Sequence, residues 1–245
     1  MTLADKPIEQ FTRMSERFPE PNEADSAQAV GRVLISLIPI VGGPANELLD
    51  LVLTPSLLKR KDKWMKELAD VVEELKERVD GFKIGNLVEN EAFVSATIKA
   101  TRIAASTNQD EKRIILRNAL INIGLGKGPK DEVKELFLDA IEAFQPSHIK
   151  VLNVLWSGTR DLTNNNLWNA AQNLYSIRNY ANAISLLHPE LSGQDGLLQF
   201  IFNDLRNRGF SRLSDPSAVF PQNPAITNLG IEFMCFVLHP DQFPK

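Results

Sequence analysis

Two interleaved apolar series fix the longest element of this chain. Leu58, Met65, Val72 and Val79 recur every seven residues, and Leu68, Leu75 and Phe82 repeat at the same interval beside them. Seven residues make close to two turns of α-helix, so the interleaving predicts one helix over 55–80, packed in coiled-coil fashion against a partner helix. Thr54-Pro55 opens it as a cap followed by a first-turn proline, and Gly81 ends it. Such a helix needs helical partners, and a chain of 245 residues, 43% hydrophobic and 24% charged, is long and apolar enough to supply them within a packed core.

The rest of the first 145 residues continues the pattern. Residues 1–25 are polar and punctuated by Pro19 and Pro21, and read as a flexible N-terminal arm. In 26–145 a helical bundle is expected. Val30, Val33, Leu34, Leu37, Ile38 and Val41 share one helical face, with a kink at Pro39 and a stop at Gly42-Gly43, and Pro44 opens a short helix carrying Leu48, Leu49, Val52 and Leu53. Beyond the long helix, further helices are predicted over Asn86–Ser106, Asn108–Ile123 and Asp131–Phe144. The last should bury Val133, Leu136, Phe137, Ala140, Ile141 and Phe144. The stretch Gly124-Leu125-Gly126-Lys127-Gly128 lacks the spacing and the hydroxyl of a phosphate loop and reads as a helix-to-helix turn.

From Pro146 the pattern changes. Ser147 caps a helix bearing Ile149, Leu152, Val154 and Leu155, and Asn164–Leu187 is helical but rich in asparagine. A helix over Asp195–Arg208, with Leu197, Leu198, Phe200, Ile201 and Leu205, ends at Gly209. Phe210-Ser211-Arg212-Leu213, a proline-bearing loop and Ala225-Ile226-Thr227-Asn228-Leu229-Gly230 then lead into an apolar end helix. This order resembles a winged helix, so the fold class expected is all-α: a helical bundle followed by a winged-helix-like domain at 146–245 with a minimal β-hairpin. A recognition-type helix would present Gln199, Asn203, Arg206 and Asn207 to a partner. Yet 146–245 carry seven Lys/Arg and seven Asp/Glu, and the whole chain has a formal charge of −4. Without a basic excess to neutralise phosphates, nucleic acid is not the expected partner and a protein is.

No grouping of side chains spells out catalysis. A single Cys235 makes neither an internal disulfide nor a thiolate metal cluster, and suits a reducing cytosol. The three histidines, His148, His188 and His239, lie far apart and read as polar residues at helix boundaries. Gly-x-Ser-x-Gly and His-Glu-x-x-His are absent. The expectation is a non-enzymatic protein with no cofactor and no metal. Lys59-Arg60-Lys61-Asp62-Lys63 is the one dense basic cluster, and two readings of it stand: a solvated helix face, or a contact for lipid phosphates beside the apolar 29–53. Ala29–Val41 would span ~20 Å against ~30 Å of hydrocarbon, so a resting transmembrane helix is not expected, and a cytoplasmic protein with conditional contact at the inner membrane is. Candidate membrane or partner contacts are Arg32, Gly42, Gly43, Lys59, Arg60, Lys61 and Trp64. The alternative for them is structural, with the glycines forming a turn and Trp64 packing in the bundle.

Taken in order, Gly42-Gly43-Pro44, the run Lys59–Trp64, Ala100–Lys112 and Phe137-Leu138-Asp139-Ala140-Ile141-Glu142-Ala143-Phe144-Gln145-Pro146 are distantly similar to the Abi-alpha (abortive infection) family of bacterial proteins. Where that family tends to carry a tryptophan after the acidic step, this chain has Ile114-Ile115-Leu116. The resemblance implies an anti-phage role and brings no catalytic residue with it. The alternatives are a winged-helix DNA-binding regulator and a scaffold or sensor protein, the latter with an oligomer as one form.

Overall fold

A computed structural model describes residues 55–158, 177–220 and 225–242. The arm at 1–25, the helical pair expected over 26–53, and with them Arg32, Gly42 and Gly43, lie outside the described residues. Within them the chain is mostly helical, and no helix is long and apolar enough to cross a membrane.

Helix α1 (Pro55–Arg78) lies against α3 (Glu91–Ser106) and α4 (Asp110–Gly124). Packing against two helices widens the predicted two-column seam. Trp64, Leu68, Val71, Val72 and Leu75 are buried, whereas Met65 and Val79 are only half-buried. That broad stripe is the signature of a helix in a globular core rather than of an isolated coiled-coil pair. The single helix predicted over Asn86–Ser106 is two. Short α2 (Ile84–Glu89) stops at Asn90, whose side chain accepts a hydrogen bond from Phe93 N at 3.1 Å and starts α3 afresh.

Helix α4 is followed by the turn read from the glycines. Gly126 has φ +68°, and the Lys127 N–H closes back on Asn122 O at 2.8 Å. Helix α5 (Asp131–Ala143) then buries Phe137, Leu138, Ala140 and Ile141. Leu136, expected inside, is 46% exposed, because the buried face is centred on Phe137 and Ile141 and takes Leu138 instead.

Helix α6 (Pro146–Ser157) begins two residues after the buried Phe144. The helix expected over Asn164–Leu187 does not run through: Ile177–Asn179 is non-helical, and Asn179 caps α7 (Tyr180–Leu187) by accepting from Asn182 N at 2.9 Å. A 3-10 turn (Pro189–Leu191), α8 (Asp195–Asn207) and α9 (Asn228–Val237) follow, with a last 3-10 turn at Pro240–Gln242. Among the described residues there is no strand. The extended pairing is two isolated antiparallel bridges, Asn179 with Val219 and Ser211 with Ile226.

One core crosses the 145/146 junction. Phe137 of α5 lies 5.2 Å from the Phe233 ring, 5.5 Å from Phe236 and 6.0 Å from Phe210, and Phe144 lies 5.6 Å from Phe210. Helix α9 is also tied to α4 by polar bonds. The buried Asn122 donates through Nδ2 to the carbonyls of Phe236 (3.0 Å) and Leu238 (2.9 Å), and Asn118 donates to Val237 O at 3.0 Å. The last carbonyls of a helix have no partner within it, and these two amides supply donors where water does not reach.

Candidate functional site

The surface that stands out is the outward face of α8. Its inward face is Leu198, Ile201, Phe202 and Leu205, spaced i, i+3, i+4 and i+7, and all four are buried. Asp195 in the first turn and Arg206 in the last suit the helix dipole. Gly209 at φ +81° then turns the chain so that Phe210 enters the core. This rotation leaves Gln199, Asn203, Arg206 and Asn207 exposed, as the recognition-helix reading requires. It also leaves Phe200 outside, 60% exposed, although the sequence reading counted it among the apolar residues of the helix. The i, i+3, i+4, i+7 set closes without Phe200, and that spacing was the available signal.

Beneath Phe200 lies an aromatic and charged stack. His148, at the third position of α6, is 2% exposed and lies over the Phe144 ring at 4.9 Å and 11°, with Phe200 edge-on at 6.0 Å. Its Nδ1 accepts the Gln145 N–H at 3.2 Å, half of a capping box, which leaves the proton of the neutral ring on Nε2. Nε2 stands 3.5 Å from Asp204 Oδ2, too long for a hydrogen bond. Asp204 is engaged by Arg208 at 3.0 Å, and the Arg208 guanidinium lies 5.4 Å from the centre of the Phe144 ring. Burial first of all pushes the His148 ring below its ordinary value of 6.5. Asp204 opposes the shift, and Arg208 and Lys112 add to it.

The sign of the pH dependence follows. Near pH 6 the folded chain binds fewer protons at His148 than the unfolded chain does, so stability falls as pH drops below 6.5 and levels off below the folded-state value. Glu67 works the other way, because burial raises its carboxyl. We expect the urea midpoint of the native chain to decline from about pH 7.5 to about pH 5, and His148→Gln to flatten that decline while leaving the Glu67 contribution in place. Parallel pH profiles for the two proteins would contradict the assignment.

The hydrogen-bonding groups on the face are only partly free. Gln199 Nε2 donates to Ser214 O at 2.8 Å, and Arg206 donates to the Arg212 carbonyl. Arg206 and Arg208, at the end of α8, each place one nitrogen on the chain's own atoms, and both side chains remain exposed. Asn203 and Asn207 flank Phe200 with neutral amides. Such a face offers an aromatic ring within a polar rim, with the exposed Arg206 and Arg208 at the C-terminal end of the helix.

The other sequence candidates divide. Lys59 and Lys61 are exposed on α1 and Arg60 is half-buried. Trp64 must be withdrawn as a surface contact: it is 2% exposed, and its Nε1–H donates to Thr101 Oγ1 at 2.9 Å inside the bundle. This is the packing alternative already stated for it. A ring of that size on the buried stripe of α1 contributes more inside the core than at its edge. The two candidate groups are not brought together, since α1 packs on α3 and α4 whereas α8 packs on α6.

A polar cleft of about 320 Å³ opens between the α3–α4 loop and the end of α5, lined by Ser106, Asn108, Lys112 and Glu142 among others. Lys112, its ammonium disfavoured by burial, donates to Glu142 O at 2.9 Å and so satisfies a last-turn carbonyl of α5. Among the described residues, no three His, Cys, Asp or Glu side chains converge as a metal site. Comparison with models of protein families, with curated proteins and with solved structures finds no match to this chain.

Proposed function

We propose that the chain is a non-catalytic binding protein that docks a partner protein on the outward face of α8, with Phe200 as the anchor. The observation that carries this reading is the exposure of Phe200, at 60%, on the same helix face as the exposed amides of Asn203 and Asn207. A large aromatic ring in water, ringed by hydrogen-bonding groups, has the composition of a protein-contact hot spot. The partner it fits offers an apolar pocket for the ring and polar atoms at the pocket's edge. The balance of seven Lys/Arg against seven Asp/Glu over 146–245 weighs against duplex DNA, whose affinity rests on cations that meet phosphates.

The order from α6 through the bridge residue Asn179, α7, α8, Ser211, the intervening loop and Ile226 to α9 supports reading 146–242 as a winged-helix-like module with its sheet reduced to single bridges. In such a module α8 holds the recognition position. The resemblance to the Abi-alpha family supports a place for this contact in bacterial defence against phage.

A photoreactive residue at Asn203 tests the reading in cells. The expected result is one discrete protein adduct, lost when Phe200→Asp is added to the same chain. An adduct to nucleic acid, or a protein adduct that Phe200→Asp leaves unchanged, would overturn it.

A further inference from the structure

Lys112 is a buried ammonium without a counterion. It stands in the first turn of α4, is 7% exposed, and hydrogen-bonds a neutral group, the Glu142 carbonyl, at 2.9 Å. Among the described residues no carboxylate comes within ion-pair distance of it. Asp110 is taken by Lys63 and Arg113, and the Glu142 carboxylate is turned to Arg102 at 2.9 Å. A buried charge that lacks an opposite charge destabilises the fold, and the helix dipole opposes a cation at this end of α4. Burial accordingly disfavours the charged form of this lysine.

The same lysine lines the cleft of about 320 Å³ between the α3–α4 loop and the end of α5. Apart from Ile103 and Glu142, the rest of the lining is hydroxyl and amide side chains. One of these amides is also short of a partner. Gln109 donates through Nε2 to Gln145 Oε1 at 2.7 Å, and its own Oε1 is enclosed without a donor. Among the described residues no aromatic ring borders this space, so it offers nothing to stack on a nucleobase and no broad apolar wall for a lipid tail.

We propose that this cleft binds a small hydroxylated anion, of the class of sugar acids and sugar phosphates, with its charged group on Lys112 and its hydroxyls on the amides of Asn108 and Gln145. The anion supplies the opposite charge that the fold withholds from Lys112, and a charge-assisted hydrogen bond to a buried ammonium is among the strong ones. Hydroxyls both donate and accept, which matches a wall of amides and hydroxyls. A volume of about 320 Å³ lies at the lower end of small-molecule sites and suits a ligand of sugar size. No residue of α8 lines the cleft, so this binding is separate from the docking of a partner on Phe200.

Thermal unfolding of the full chain at constant ionic strength tests the proposal. Gluconate or glucose 6-phosphate at about 10 mM should raise the midpoint by about 4 °C, the shift for a dissociation constant of about 1 mM, and uncharged glucose should leave it unchanged. A response to one of the two anions alone supports the proposal and names carboxylate or phosphate as the group held. Amide NMR spectra should place the perturbed signals at 107–112 and at Gln145. Lys112→Met removes the charge and the Glu142 bond together, so Asn108→Asp is the variant that separates binding from folding. Asn108 is exposed, and a like charge on the wall of the cleft should weaken binding of either anion by about tenfold or more. Phe200→Asp should respond like the native chain. No shift from either anion, an equal shift from glucose, perturbed amides away from the cleft, or an unaltered affinity of Asn108→Asp would overturn the proposal.

Discussion

Phe137→Ala is expected to lower the stability of the chain by about 3–5 kcal/mol, the range for truncating a fully buried aromatic ring. The effect belongs at the top of that range. The ring meets Phe210, Phe233 and Phe236 at once, so its removal opens a cavity bordered by elements from both sides of the 145/146 junction. Rings held at tilted and edge-on angles cannot close that space without giving up their own contacts. Urea unfolding reads the result. A single transition shifted to much lower denaturant is expected, and a loss under about 1 kcal/mol would show that the two halves do not share the core described here.

Gly230→Ala is expected to cost about 3 kcal/mol, although it adds one methyl group. A Cβ at this position would stand 2.6 Å from Ile226 Cγ1 and closer still to the Phe210 carbonyl oxygen. The nearer obstacle is backbone, which cannot rotate away as a long side chain does. The Phe210 carbonyl also accepts the Thr227 N–H at 3.1 Å, and Thr227 in turn caps α9 by accepting from Gly230 N at 3.0 Å. Moving the carbonyl therefore disturbs the start of α9 and the buried ring of Phe210 together. The same change at exposed Gly85, where an added Cβ meets nothing within 4 Å, serves as the control and should be nearly neutral or mildly stabilising. Equal denaturation midpoints for the two variants would contradict the close approach at Gly230.

Helix positions were legible because the apolar period is strong, and the turns after α4 and α8 were legible because glycine marks them. What the sequence hid was the direction of particular side chains. In α4, Ile114 points outward at 53% exposure while Asn118 and Asn122 are buried, the reverse of an apolar-inside reading. The reason is tertiary: the carbonyls at the end of α9 are enclosed and need donors, and nothing near Asn118 in sequence announces a helix more than a hundred residues away. The break at Asn90 was visible in principle, since asparagine three residues before Phe93 is a cap, but the apolar residues on either side read as one run.

The candidate site was legible in part. Gln199, Asn203, Arg206 and Asn207 are exposed as the recognition-helix reading placed them. Phe200 stands in the sequence simply among the apolar residues of its helix, and only the closed spacing of Leu198, Ile201, Phe202 and Leu205 marks it as outside their face. The basic residues of α1 were visible as a cluster. That Glu67 and Glu74 would pair with Arg113 and Arg117 depended on how α1 meets α4.

The account rests on Phe200 serving contact rather than folding, and one paired measurement separates the two. Phe200→Asp should keep its thermal midpoint within a few degrees of the native chain, since the ring is 60% exposed and the substitution removes one edge-on contact, with His148 at 6.0 Å, worth about 1 kcal/mol, and it should abolish protection in a phage challenge of bacteria expressing it. Full protection from Phe200→Asp, or a midpoint that collapses together with the protection, would contradict the account.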